Sequence, residues 1–347
     1  MAYAVKVKSK LYLRLARNNP HLFFPNALTL NYLRYKFTKP RRTVDHAKVS
    51  PVFVTYFVTN RCNLACSFCM VGNVLNPKDW RSREATVETT ERLFRRPVAK
   101  RALYVMLSGG EPTINQEIAP IIQLLKKQGR LVAMTTNGHY LPQKADDLIR
   151  SGLDSINVSL YPDNFVKVRE TLPEITPRIH AKICKVITRQ MLDDPIEIEA
   201  AVELAQDVGA QGIYLANVFP SHNAPTALDT SIIYDRDEGL LNSVKERIGA
   251  KFRNIPIYWP APAPMVRPPL KLCRMPWYFV TFDSQGNMGM CCNSANCTQG
   301  NIFDLAPAEV MNTDEWKTVR DGLLSPGPVA SICSTCYMMN DRYGSNV

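Results

Sequence analysis

The chain has 347 residues, 46% of them hydrophobic, which is enough for one large domain or two smaller ones around a substantial core. Its formal charge is +11, but eleven Lys or Arg against the single Asp45 give the first 50 residues a local +10, so the remaining body is nearly neutral at +1. That balance argues against a nucleic-acid-binding body, and no apolar run approaches the roughly 20 residues a bilayer span needs.

The head, residues 1–50, is interrupted by Lys6, Lys8, Lys10, Arg14 and Arg17, so it lacks the apolar core of a secretory signal. A cytoplasmic location is expected. The same cations stand beside Leu22, Phe23 and Phe24, a pairing that suits peripheral contact with an anionic membrane surface as well as a helix packed on the body.

From Pro51 onward, β-rich apolar runs alternate with amphipathic stretches, the pattern of consecutive βα units on a parallel sheet. Strands are expected at Val52 to Val58, Ala102 to Leu107, Leu131 to Thr135, Ser155 to Leu160, Ile179 to Ile187 and Gly212 to Val218. Between them, Ile118 to Lys127 and Ile196 to Val208 carry helical periodicity, and Gly129 and Gly209 follow where a left-handed cap is needed. Six units are fewer than the eight of a closed barrel. The fold class is therefore α/β, a partial (β/α)6 TIM-like barrel over residues 51–220, with its active site at the C-terminal strand ends.

Residues 221–270 read as a proline-rich bridge with one helix near Glu238 to Ile248, and 271–347 as a small cysteine-rich C-terminal domain organised by a metal. The bridge is expected to return that C-terminal segment to the mouth of the barrel.

The ten cysteines fall into two spaced clusters with Cys184 apart, which favours metal ligation over disulfides in a chain without an export signal. In the first cluster, Cys62, Cys66 and Cys69 place three thiols in one loop directly after a strand. A structural zinc or an ordinary four-iron cluster wants four protein ligands, whereas three thiolates leave one iron open. A zinc loop is the alternative. In the second cluster, Cys273, Gly286, Cys291, Cys333 and Cys336 supply four thiolates, with Cys292 or Cys297 able to replace Cys291 and a zinc knuckle as the other outcome. Cys184 reads as a buried small apolar residue, with hydrogen donation to a substrate radical as a second reading. The histidines at 21, 46, 139, 180 and 222 show no ligand spacing.

The Cys62-x3-Cys66-x2-Cys69 loop, with Phe68 before its third cysteine, resembles the signature of the radical S-adenosylmethionine (SAM) superfamily. The resemblance implies that Cys62, Cys66 and Cys69 hold a 4Fe-4S cluster whose open iron takes SAM. It implies that Gly109, Gly110 and Glu111 form the motif whose carboxylate meets the SAM ammonium. It likewise implies that Thr136, Asn137 and Ser159, at the ends of strands three and four, and Phe68 contact the rest of SAM. Lys182, Lys185 and Arg189 are carboxylate partners by the same analogy. The C-terminal spacing, with Cys273-Arg274-Met275-Pro276-Trp277, is similar to SPASM/Twitch extensions. That likeness implies one auxiliary 4Fe-4S cluster on Cys273, Cys291, Cys333 and Cys336, and an electron donor such as flavodoxin or ferredoxin.

Enzymes of this kind cleave SAM reductively to a 5′-deoxyadenosyl radical that takes a hydrogen from the substrate. An oxidative modification of a small polar or lipid-linked molecule is the expected outcome. Maturation of a ribosomal peptide or a radical epimerisation is the alternative, and a non-enzymatic iron-sulfur protein is a further one.

Overall fold

In the computed structural model the described residues are 19–20, 24, 26–38, 51–69, 71–72, 75–79, 83–218, 230–263, 265, 273, 275–291, 299–325 and 333. The six expected strands form at β1 (Phe53–Thr59), β2 (Tyr104–Gly109), β3 (Leu131–Thr136), β4 (Ser155–Ser159), β5 (His180–Ile187) and β6 (Ile213–Asn217). β1 is almost entirely buried, whereas β2, β4 and β5 alternate buried with partly exposed positions, so one face of those strands is more open than the other. Gly129 and Gly209 end their helices with φ of 81° and 68°, the left-handed conformation for which glycine has no Cβ penalty.

The sheet is larger than six strands. Two residues of the proline-rich bridge form β7 (Ile257–Tyr258), and the C-terminal segment adds β8 (Phe279–Asp283) and β9 (Met288–Gly289). The order is β7-β6-β5-β4-β3-β2-β1-β8-β9, all parallel except β9. Strands β1 to β8 thus follow the cyclic order of an eight-stranded barrel, left unclosed between β7 and β8. The C-terminal segment accordingly continues the barrel sheet. Val280, Phe282 and Trp316 lie in the same buried cluster as Val54, Leu107 and Ile122.

Parity along each strand separates two faces. Tyr56 meets Phe94 of the helix Val87–Arg95 edge-on at 5.8 Å, and Lys185 reaches Glu197 of the helix Ile196–Asp207 at 2.8 Å, so this parity faces the helices. The opposite parity, aligned by register, puts Thr55, Met106, Thr135, Asn157, Lys182 and Tyr214 on the inner face. Tyr258 of β7 joins them through its pairing with Tyr214.

Candidate active site at the C-terminal strand ends

The chain leaves β1 into the loop that carries Cys62, Cys66 and Cys69, all half-buried. Backbone turns shape it: the Cys69 N–H donates to the Cys66 carbonyl at 3.1 Å and the Gly72 N–H to the Cys69 carbonyl at 3.3 Å. Asn76 clamps Cys62 from both sides, accepting from its N–H at 3.0 Å and donating to its carbonyl at 3.1 Å. Thr59 donates to Glu84, which also pairs with Arg61 at 3.6 Å. The Cys62 sulfur accepts from the Leu64 N–H at 3.4 Å and lies 3.9 Å from Asn137 Nδ2. Burial pushes the Cys62 and Cys69 thiols up, and the neighbouring cysteines add to that. Among the described residues, no three His, Cys, Asp or Glu side chains are already gathered as a metal cage. The donor set nevertheless fits an iron-sulfur cluster: three soft sulfurs on one loop, with N–H groups aimed at one of them and no fourth cysteine in the loop.

Gly109 and Gly110 are explained by this loop. The Gly110 N–H donates to Thr59 O at 2.8 Å and the Glu111 N–H to Arg61 O at 2.7 Å. A Cβ on Gly110 would stand 2.1 Å from the Arg61 carbonyl oxygen, and one on Gly109 2.2 Å from that of Thr59. The two glycines thus allow a close backbone approach to the thiol loop. Gly110→Ala is expected to destabilise the protein by about 1–3 kcal/mol and displace the loop, measurable as a lower denaturant midpoint with weakened iron binding. An unchanged midpoint with full iron loading would contradict it.

Glu111 is 1% exposed, and its carboxylate accepts from the Thr113 N–H at 3.0 Å, the Thr113 hydroxyl at 2.5 Å, the Thr136 hydroxyl at 2.7 Å and the Asn137 N–H at 2.6 Å. Among the described ion pairs none involves Glu111, so a buried carboxylate sits beside the thiol loop with neutral donors only. Asn137 also donates to Asn63 in that loop at 2.8 Å. The GGE segment, the end of β3 and the cysteine loop therefore form one hydrogen-bonded unit.

Phe68 reaches from the thiol loop toward the ends of β5 and β6. It packs with Val186 and Tyr234 against Val218, Ile232 and Ala263, and its ring lies parallel to that of Tyr161, at 10° with centroids 6.4 Å apart. Burial raises the Tyr161 phenol well above its usual range, and Cys66 beside it raises it further. Ser159 is half-buried at the end of β4, and its carbonyl is bridged to that of Asn137 by Asn164 Nδ2 at 2.8 and 2.6 Å. Neither Asn76, Tyr161 nor Asn164 stands out in the sequence. The Tyr-Pro-Asp-Asn run at 161–164 was the available signal, since Asn164 closes a turn on the Tyr161 N–H at 2.8 Å.

Of the three cations expected to face an anionic ligand, Lys185 points to the helix layer and pairs with Glu197, while Arg189 pairs with Asp193 and Asp237, each at 2.8 Å. Lys182 remains on the inner face, 5.2 Å from the Tyr258 ring centroid, its ammonium lowered by burial. Desolvation pushes Cys184 on the same face up to about 12, although the residue is only partly buried, so it is not the fully buried small apolar residue of the sequence reading.

The second cysteine cluster lies elsewhere. Phe279 starts β8 level with Phe53 at the start of β1, so Cys273, just ahead of it, stands at the N-terminal strand ends. β9 then runs back from Met288 toward Cys291. Both cysteines are on the floor of the barrel and not at its mouth, because β8 adds parallel to β1 and must begin where β1 begins. Cys273 and Cys333 pack against the main core, while Cys292, Cys297 and Cys336 lie outside the described residues.

Residues 56–161 match the family model of the Radical SAM superfamily. The chain is 34% identical over 137 residues to a GTP 3′,8-cyclase of Clostridium acetobutylicum, covering 38% of this chain and 40% of that protein. It is 30% identical over 184 residues to a PqqA peptide cyclase of Ruegeria pomeroyi, covering 49% and 48%. These matches span half or less of the relatives' own length. The fold is similar to that of a Streptococcus suis SuiB structure, bound to precursor peptide SuiA, with a TM-score of 0.62 at 18% identity over 90% of this chain and 74% of that one. The thiol loop, the buried Glu111 and the strand ends that hold them all lie at or within the matched segment: this chain carries a radical SAM domain.

Proposed function

We propose that the chain is a radical SAM enzyme that oxidatively modifies a small polar molecule or a peptide held on the inner face of the sheet. Glu111 carries the reading, as a buried carboxylate with no cation paired to it among the described residues, hydrogen-bonded into the unit that includes the thiol loop. A buried charge with only neutral donors is costly, and a ligand ammonium offsets that cost. Cys62, Cys66 and Cys69 would hold the SAM-binding 4Fe-4S cluster, which supplies the electron for reductive cleavage of SAM to a 5′-deoxyadenosyl radical. The chain's own residues would orient SAM: Glu111 its ammonium, Lys182 its carboxylate, Thr136, Asn137 and Ser159 its polar groups. The parallel rings of Phe68 and Tyr161 offer a planar surface for its adenine. Cys273, Cys291, Cys333 and Cys336 would hold an auxiliary cluster. A flavodoxin- or ferredoxin-type donor would reduce the enzyme, and the basic head would meet an anionic surface.

The peptide alternative is supported by the fold likeness to a peptide-bound structure and by the match to a peptide cyclase, and epimerisation would need Cys184 as hydrogen donor. Glu111→Gln and Lys182→Gln should each weaken SAM binding by about ten- to a hundredfold, as expected for lost charge-assisted contacts, with iron content unchanged. Anaerobic equilibrium dialysis measures this. Wild-type affinity in both variants would overturn the assignment.

A further inference from the structure

The helix Ala27–Thr38 sits at the end of the barrel opposite the thiol loop. Asn31 Nδ2 donates to the Pro51 carbonyl at 3.3 Å and the Arg101 carbonyl at 3.1 Å, the residues that lead into β1 and β2. Asn19 is tied to the same floor, donating to Asp154 at 2.9 Å, while Lys126 bridges Asn19 and Asp154 at 2.6 Å each. Leu28, Thr29 and Asn31 face inward and are buried.

The outward side carries large apolar residues next to the exposed Arg34. Phe24 is 71% exposed, Leu30 54% and Leu33 44%, and Leu30 and Leu33 are three apart on one helix face. An apolar strip of this kind normally lies against something. Cations stand beside it among the described residues: Arg34 is exposed on the helix itself, and Lys100, Arg101 and Lys127 are exposed where the chain enters β2 and β3. Asp154, the carboxylate within this network, is buried against Lys126.

We propose that this floor is a docking surface for an anionic lipid bilayer, with Phe24, Leu30 and Leu33 entering the interface and the surrounding Lys and Arg meeting lipid headgroups. Apolar insertion and charge act together there, and neither alone gives stable attachment. No helix among the described residues is long and apolar enough to cross a membrane, so the contact is peripheral. The geometry also bears on the substrate and rests for that on the site proposed above. β1 alone is seven residues, about 20 Å, and it separates the docked floor from the thiol loop. The catalytic mouth faces away from the bilayer. The substrate therefore comes from water, a small polar molecule or peptide, and the lipid-linked option of the sequence reading is disfavoured.

The test is flotation of the full, iron-loaded chain with vesicles of phosphatidylcholine alone and of phosphatidylcholine containing one-third phosphatidylglycerol, at about 0.05 M and about 0.5 M salt. Binding to the anionic vesicles alone, falling severalfold at high salt, is expected. Leu30→Gln/Leu33→Gln should lower it by about tenfold while leaving production of 5′-deoxyadenosine unchanged. Lys100→Glu/Lys127→Glu, which leaves the apolar strip intact, should lower it severalfold and remove most of the salt dependence. Equal flotation with both vesicle types overturns the proposal. So does preferential capture of RNA over vesicles, or wild-type flotation of the leucine variant. Because flotation needs no turnover, these outcomes are separate from any failure of the radical SAM reading.

Discussion

Anaerobically reconstituted protein should bind about eight irons per chain, and replacing Cys62, Cys66 and Cys69 together by Ala should leave about four and abolish 5′-deoxyadenosine production. The loop has no described substitute ligand within it, and the acid beside it, Glu111, is engaged by four donor groups from Thr113, Thr136 and Asn137. The remaining scaffold does not depend on the thiols. β1 pairs with β2 and β8 along its length, and Asn76, Glu84 and Gly110 hold the backbone on either side of the cysteines. The triple variant should therefore stay folded, with a circular dichroism spectrum and denaturant midpoint close to wild type. Zinc in place of iron in protein purified without air would sink the assignment. Residual SAM cleavage in the triple variant would do the same.

Legibility followed locality. The six strands could be read because each carries apolar residues in a continuous or alternating run of strand length, and three of the intervening helices are followed by glycines with positive φ, Gly129, Gly152 and Gly209. The thiol loop and the Gly109-Gly110-Glu111 turn could be read because spacing within a few residues already restricts the chemistry. β7 could not, being two residues between Pro256 and Pro260 that pair with β6 only through tertiary contact. β8 is a different failure: Phe-Val-Thr-Phe-Asp at 279–283 is a plain strand signal, overridden by the assumption that a metal alone organises the cysteine-rich tail. Its parallel pairing beside β1 is a long-range event, and it decides that Cys273 lies on the floor. Lys182 and Lys185 illustrate the finer limit. Period-two alternation puts them on opposite faces, Lys182 with Cys184 and Lys185 with Ile183, but does not say which face is the inner one. Glu197, twelve residues on, accounts for Lys185, and the pairing of β6 with β7 brings Tyr258 to Lys182.

The second large effect concerns the auxiliary cysteines. With Cys291 following β9 back toward the start of β8 and Cys62, Cys66 and Cys69 following the end of β1, a substrate held on the inner face would have one cysteine set toward each end of the strands. An electron leaving the substrate toward the floor need not pass back through the mouth. Cys273→Ala/Cys333→Ala should accordingly retain 5′-deoxyadenosine production with dithionite as reductant, lose about four irons, and stop conversion of the substrate. A cluster that only supplies folding free energy makes a different forecast. Cys273 and Cys333 pack against the core that also contains Trp277 and Trp316, so loss of a purely structural metal should loosen that side of the sheet and lower both activities together. The two cases separate on one comparison, the denaturant midpoint against the ratio of 5′-deoxyadenosine to product. An unchanged midpoint with a ratio rising far above wild type is the expected result. A well-folded double variant that completes the modification at the wild-type rate would falsify the electron-acceptor role and leave the floor cysteines without a part in the chemistry.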